Sequence, residues 1–231
     1  MVQMALSLGL DDDIAWMREQ LRSCLGEAGP ILVRPPVGQL VKSLISSRTR
    51  DEVSLAAYEQ LRIAYPRWAA LAEAPAGTIE AVICEVTYPD VKARQLGQAL
   101  RAIAADHPDF DLAFLGGWSV VDALAWLERL PGVGRKVAAS TLNFSTLERP
   151  AFVVDTHILR ILRRYGMIRG KADTQAAFQA VMARADGWTA GELAEFHVLI
   201  KRLGQTICRA DQARCGDCPL QPRCRAGSGK R

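Results

Sequence analysis

The sequence predicts an all-α protein. Apolar residues recur at helical spacing through almost every long segment, and β-branched runs bounded by turn residues are scarce. Proline and glycine fall where one such segment gives way to the next. Asp12 or Asp13 can cap a first helix that runs to about Leu25 and ends at Gly26, Gly29 and Pro30. A second helix is expected over Gly38 to Ser47 and a third over Asp51 to Ala64, with Tyr65-Pro66 as the break. Short helices follow near Trp68 to Glu73 and Thr78 to Cys84. Tyr88-Pro89-Asp90 then opens a long helix to about Asp106, with Pro89 in the first turn, where its missing N–H is not needed. Beyond the loop at His107-Pro108 and Gly116-Gly117, a helix from Val121 to Arg129 stops at Pro131, and Gly134 starts another to about Phe144. Segments near Thr156 to Tyr165, Thr174 to Ala185 and Ala190 to Ile207 complete the set. There is no internal repeat, and the short Gly227-Ser228-Gly229 tail is expected to fray.

At 231 residues, 49% apolar and 23% charged, the chain suits one large or two small soluble domains with a substantial core, which excludes disordered and fibrous classes. No apolar run approaches the ~20 residues that span a bilayer. The opening MVQMALSLGL has no basic region and runs into Asp11, Asp12 and Asp13, so a soluble, cytoplasmic protein without membrane association is expected. The net charge of +4 is unevenly spread. Residues 131–170 carry seven Lys/Arg against two acids and residues 201–231 carry eight against two, so the rest of the chain is net acidic. Such lopsidedness suits a polyanion, nucleic acid above all, although a solvated basic face without a partner fits the charge alone.

Near the C-terminus, Cys208, Cys215, Cys218 and Cys224 follow the spacing C-x6-C-x2-C-x5-C. Four thiolates so close in sequence can converge on a 4Fe-4S cluster or on a structural zinc, and spacing does not choose between them. Two disulfides are the third reading, disfavoured without a secretory signal. Cys24 and Cys84 sit among apolar neighbours and read as reduced core thiols.

Leu130-Pro131-Gly132-Val133-Gly134-Arg135-Lys136 makes a tight hairpin between two helices. Its two glycines let backbone amides face outward while Val133 packs inward, forming a phosphate-sized anion site at a helix start. An ordinary αα-turn would use glycine in the same way. Asp155, immediately before Thr-His-Ile-Leu-Arg, has the form of a helix N-cap. His157 follows that cap and His197 lies in an apolar helix, where a hydrogen-bonded core imidazole is the simpler explanation.

With LPGVGRKVA at 130–138, VVDTHILR at 153–160 and the cysteine spacing at 208–224, the chain resembles the endonuclease III family of helix-hairpin-helix DNA glycosylase/AP lyases, which carry an iron-sulfur cluster. LISSRTRD at 44–51 and LGQTIC at 203–208 extend the resemblance over most of the chain. The resemblance implies a monomer acting on double-stranded DNA with damaged bases or abasic sites, nucleoid-associated in a bacterium. It would excise oxidised pyrimidines and then cleave the abasic strand. Lys136 takes the family's nucleophilic lysine and Asp155 its essential carboxylate. Gly132, Val133, Gly134 and Arg135 would hold phosphate, the four cysteines a 4Fe-4S cluster, and Arg209 and Arg214 a basic lobe towards DNA. The positions that fill the gap left by a flipped nucleotide fall near Arg48 and Tyr88. There the sequence departs from the family, which commonly has Gln at the first and Leu near the second. A turn aromatic and an acid-paired arginine are the alternative there.

The family also implies two helical lobes flanking a DNA cleft. A six-helix barrel with the hairpin would cover 32–149, and 1–31 with 150–231 would form a discontinuous iron-sulfur domain. A mismatch-specific adenine glycosylase, and a DNA-binding scaffold without base excision, stand as the other readings.

Overall fold

In the computed structural model, residues 13–228 are described; the expected Asp12 cap and the frayed end at Gly229 lie outside them. The described residues form eleven α-helices, three short 3-10 turns and two isolated bridges, with no strand. In chain order the helices are α1 Asp13–Leu25, α2 Pro36–Ile45, α3 Asp51–Ala64, α4 Trp68–Glu73, α5 Ala76–Val82, α6 Pro89–Asp106, α7 Val120–Glu128, α8 Arg135–Asn143, α9 Thr156–Tyr165, α10 Thr174–Met182 and α11 Ala190–Thr206. None is long and apolar enough to cross a membrane. The described chain divides into two compact units, Leu32–Arg149 and the segments on either side of it.

In the continuous unit, α2 is the central helix. Eight of its ten residues are buried, and it packs on α8, α3 and α6. It begins two residues before the position expected because Pro36, with its fixed φ, occupies the first turn. Gly38 is needed for packing: a Cβ there would stand 2.9 Å from the Tyr58 hydroxyl. The α2–α8 contact has a polar centre, in which Gln39 Nε2 donates to Ser43 Oγ at 3.1 Å and to Ser140 Oγ at 2.9 Å. Such a satisfied buried network fixes the register of the helix pair. α6 covers α4 and α5 on its other side. Between α6 and α7 the Phe114 ring stacks on His107 and meets Trp126 edge-on, and a 3-10 turn at Ala113–Gly117 replaces the plain loop expected there.

The discontinuous unit is built on α11, which packs against α9 and α1. Thr189 and Glu192 form a full capping box at its start. Gly204, near its end, lies so close to α9 that a Cβ would come within 2.8 Å of the His157 Cβ. α1 buries the helical stripe Ile14, Met17 and Leu21. Its Arg18 donates to Glu192 and Glu195 of α11. Phe152 stacks on Phe196 in the core, and His197 Nδ1 lies 2.8 Å from the Val153 carbonyl, a buried hydrogen-bonded imidazole.

Cys24 and Cys84 are exposed, which corrects their assignment to the core. Cys24 occupies the last turn of α1, beyond the buried stripe, and Cys84 follows α5 where the neighbouring Ile83 and Val86 turn inward instead. Apolar neighbours in sequence do not bury a residue at a helix end.

Candidate active site and cysteine cavity

The hairpin joins α7 to α8. Gly132 has φ +76, in the left-handed region that favours glycine, and a Cβ there would meet the Gln95 side chain at 2.8 Å. Val133 is buried, as the turn requires if its amides are to face outward. Gly134 caps α8 from an extended backbone (φ −98), with open space where a side chain would stand. Arg135 does not project freely. Its guanidinium makes a two-pronged bond to Glu128 at 2.7 and 3.0 Å, so the hairpin's arginine is largely neutralised.

Lys136, in the first turn of α8, is half-buried, and its Nζ lies 3.5 Å from Ser46 Oγ just past the end of α2. Close by is a second lysine that sequence reasoning passed over. Lys92 of α6 is only 5% exposed, and its ammonium donates to the carbonyls of Ile45 and Ser47 at 2.8 and 2.7 Å and to Thr49 Oγ1 at 2.9 Å. Burial, and then the positive charge of Lys136, push its pKa down to about 8.

Arg48 and Tyr88 are both exposed, and both have left-handed backbones, with φ of 55° and 56°. A non-glycine residue there is uncommon and strained. Their loops are sewn together: the Thr87 amide donates to Thr49 Oγ1 at 3.1 Å and Thr87 Oγ1 to the Arg48 carbonyl at 2.9 Å. The structure thus places two residues that lie forty positions apart in sequence on one tied pair of loops.

In the other unit, Asp155 is 9% exposed and caps α9, with Oδ1 accepting the Ile158 amide at 2.9 Å. His157 is half-buried, its Nδ1 3.2 Å from Arg160 Nη2. α9 also directs Arg160 and Arg164 at the cysteine loop. Arg160 reaches the Gly204 and Cys208 carbonyls at 2.7 and 2.9 Å, and Arg164 Nη1 lies 3.4 Å from Cys208 Sγ. Their spacing of four on a helix was the signal for a shared target.

None of the six cysteines is in a disulfide. Cys208, Cys215, Cys218 and Cys224 line one cavity of about 30 Å³ together with Arg164 and Arg214. Two successive 3-10 turns, Cys215–Asp217 and Gln221–Arg223, each deliver the cysteine that follows, Cys218 and Cys224. Burial pushes the Cys218 thiol up to about 11, and the other three sulfurs add to the effect. Among the described residues no three metal-ligating side chains are gathered tightly enough for a single ion. Four thiolates are the soft ligands that both an iron-sulfur cluster and a structural zinc take. Arg209 and Arg214 pair with Asp211 and Asp217 at 2.8 and 3.4 Å, which tempers the expected basic lobe.

Residues 41–185 match the profile of the HhH-GPD superfamily base excision DNA repair protein. The chain is 30% identical to endonuclease III of Thermotoga maritima over 203 residues, 84% of this chain and 87% of that one. The chain belongs to the endonuclease III family of the HhH-GPD superfamily. As a member it is a base excision repair enzyme, a DNA glycosylase with lyase activity at abasic sites. An endonuclease III homolog of Encephalitozoon cuniculi is 30% identical over 80% of this chain and 76% of its own length. Among solved structures the fold matches a trapped endonuclease III-DNA covalent intermediate, an estranged-adenine complex, at TM-score 0.77 over 96% of this chain and 99% of that one. At 23% identity that likeness speaks for the fold of this endonuclease III family member and for nothing finer.

Proposed function

We propose that the protein excises oxidised pyrimidines from duplex DNA and cuts the resulting abasic strand through a Schiff base on Lys136. What carries this reading is the place of that lysine, in the first turn of α8 directly after a hairpin whose Gly132 has a left-handed backbone. A helix start of this kind attracts a phosphate and so sets the amine beside a deoxyribose. The neutral amine attacks C1′, the base leaves, and the iminium acidifies the C2′ proton, whose removal expels the 3′ phosphate. A hydroxyl or carboxylate could not form that iminium. The chemical task assigned to Asp155 is to take up the amine's proton or to stabilise positive charge on the sugar, and its capping bond to Ile158 fixes one oxygen of the carboxylate.

Arg48 and Tyr88 are assigned to the gap left by the flipped nucleotide; exposure and left-handed backbones in tied loops support this. Cys208, Cys215, Cys218 and Cys224 would hold a 4Fe-4S cluster, whose contribution is to stiffen a loop with little core of its own. Two lobes with separate duties, a hairpin lobe over 32–149 and an iron-sulfur lobe from the rest, complete the proposal. Its test is the product of incubation with duplex DNA containing an oxidised pyrimidine. Strand cleavage leaving a 3′ unsaturated aldehyde is expected, whereas an intact strand bearing an abasic site would indicate a purely hydrolytic glycosylase.

A further inference from the structure

Lys92 is a buried charged side chain that has no carboxylate partner among the described residues. The three atoms its ammonium reaches are two backbone carbonyls and one hydroxyl. Burying an uncompensated charge is expensive, and an apolar residue would fill the same volume more stably. What the charge secures is local. The Ile45 carbonyl belongs to the last residue of α2, so Lys92 takes up a carbonyl that the helix leaves without an internal partner. The Ser47 carbonyl and Thr49 hydroxyl flank Arg48, whose left-handed backbone needs support from its surroundings. Thr49 Oγ1 also receives the Thr87 amide, and Thr87 precedes the left-handed Tyr88.

We propose that Lys92 is a positioning residue for nucleotide extrusion: its buried ammonium holds the 45–49 turn, and through Thr49 and Thr87 it locks Arg48 and Tyr88 into one rigid wedge. The clamp itself rests on the hydrogen bonds; its use in extrusion rests on the assignment of Arg48 and Tyr88 above. A wedge must hold its shape while a base pair is forced open, and two strained loops would otherwise relax into ordinary conformations. At a site that has already lost its base, less opening is required.

The test uses the full chain with Lys92→Met, which keeps the length and removes the charge. Thr87→Val is the companion, since it severs the bond to the Arg48 carbonyl without touching the buried ammonium. Amide exchange at Thr49 and Thr87, single-turnover excision of an oxidised pyrimidine, and borohydride trapping on a preformed abasic site are measured for each. In Lys92→Met, exchange at both amides should quicken and excision should fall on the order of ten- to a hundred-fold, what even one of its three charge-assisted hydrogen bonds is worth. Trapping should fall far less. Thr87→Val should shift excision in the same direction, and adding it to Lys92→Met should cost little more. Unchanged exchange, or equal losses of excision and trapping, would overturn the proposal. A wild-type protein that excises nothing would defeat the functional reading instead, and the exchange arm would still decide the clamp.

Discussion

Gly132 passes directly over Gln95, so close that a Cβ on the glycine would stand 2.8 Å from the glutamine side chain. Its partner in the hairpin, Gly134, has nothing within 4 Å of the same position and an unstrained backbone. The two glycines therefore have separable roles. Gly132→Ala should cost about 1–3 kcal/mol of stability through its left-handed φ and the displaced Gln95. Gly134→Ala should stay within about 0.5 kcal/mol of wild type. Both should weaken binding to abasic duplex, because both bear on the backbone amides. Thermal melting beside filter binding checks the split, and a Gly134→Ala protein that melts early but binds normally would contradict it.

Asp155 caps α9 and is proposed to serve the reaction with the same carboxylate, and asparagine separates the two duties. An amide oxygen still accepts the Ile158 amide hydrogen, so Asp155→Asn should keep the α9 cap and melt near wild type. Asp155→Ala should lose about 1 kcal/mol. Both should lose most base excision. If Asp155→Asn excises normally, the carboxylate serves only as a cap.

Lys92 gives a pH dependence with a definite sign. Its pKa in the fold is about 8 and its ordinary value is 10.5, so between those values the unfolded chain binds more protons than the folded one. Stability contributed by this group therefore rises with pH across that window, and the burden is full below about 8. Lys92→Met lacks this term. The stability of wild type relative to Lys92→Met should increase from pH 7 to pH 10, by at most about 3 kcal/mol. Chemical denaturation of both proteins across that range measures it. A constant or falling difference would show that Lys92 is not buried as a charge.

The cysteine cavity predicts which thiols matter. Serine at Cys208, Cys215, Cys218 or Cys224 should abolish the brown colour and iron content of the purified protein and lower its melting temperature. Serine at Cys24 or Cys84, both exposed, should change neither. Zinc in place of iron by elemental analysis would reject the cluster and return the loop to a structural zinc site.

Much of the fold was legible because proline, glycine and capping residues mark its boundaries. α3 and α9 run between the residues expected, set by Tyr65-Pro66 in one case and by Asp155 and Gly166 in the other. α5 starts two residues early because Pro75 precedes it, a signal present in the sequence but not used. The four cysteines face one cavity, yet nothing in their spacing discloses Arg160 and Arg164, which come from a helix more than forty residues upstream. The pairing of Arg135 with Glu128 closes across the hairpin, and reading Arg135 only with its neighbour Lys136 concealed it. Lys92 was the least visible. A lysine one turn into a helix looks solvated, and only the approach of the 45–49 turn buries it.

Lys136 should become covalently bound to the sugar during the reaction. Sodium borohydride added during reaction with duplex DNA containing an abasic site reduces an imine to a stable amine and fixes it. A protein–DNA adduct is expected whose cross-linked peptide maps to Lys136 and which disappears in Lys136→Ala. Strand cleavage without any trapped adduct, or an adduct that persists in that variant, would contradict it.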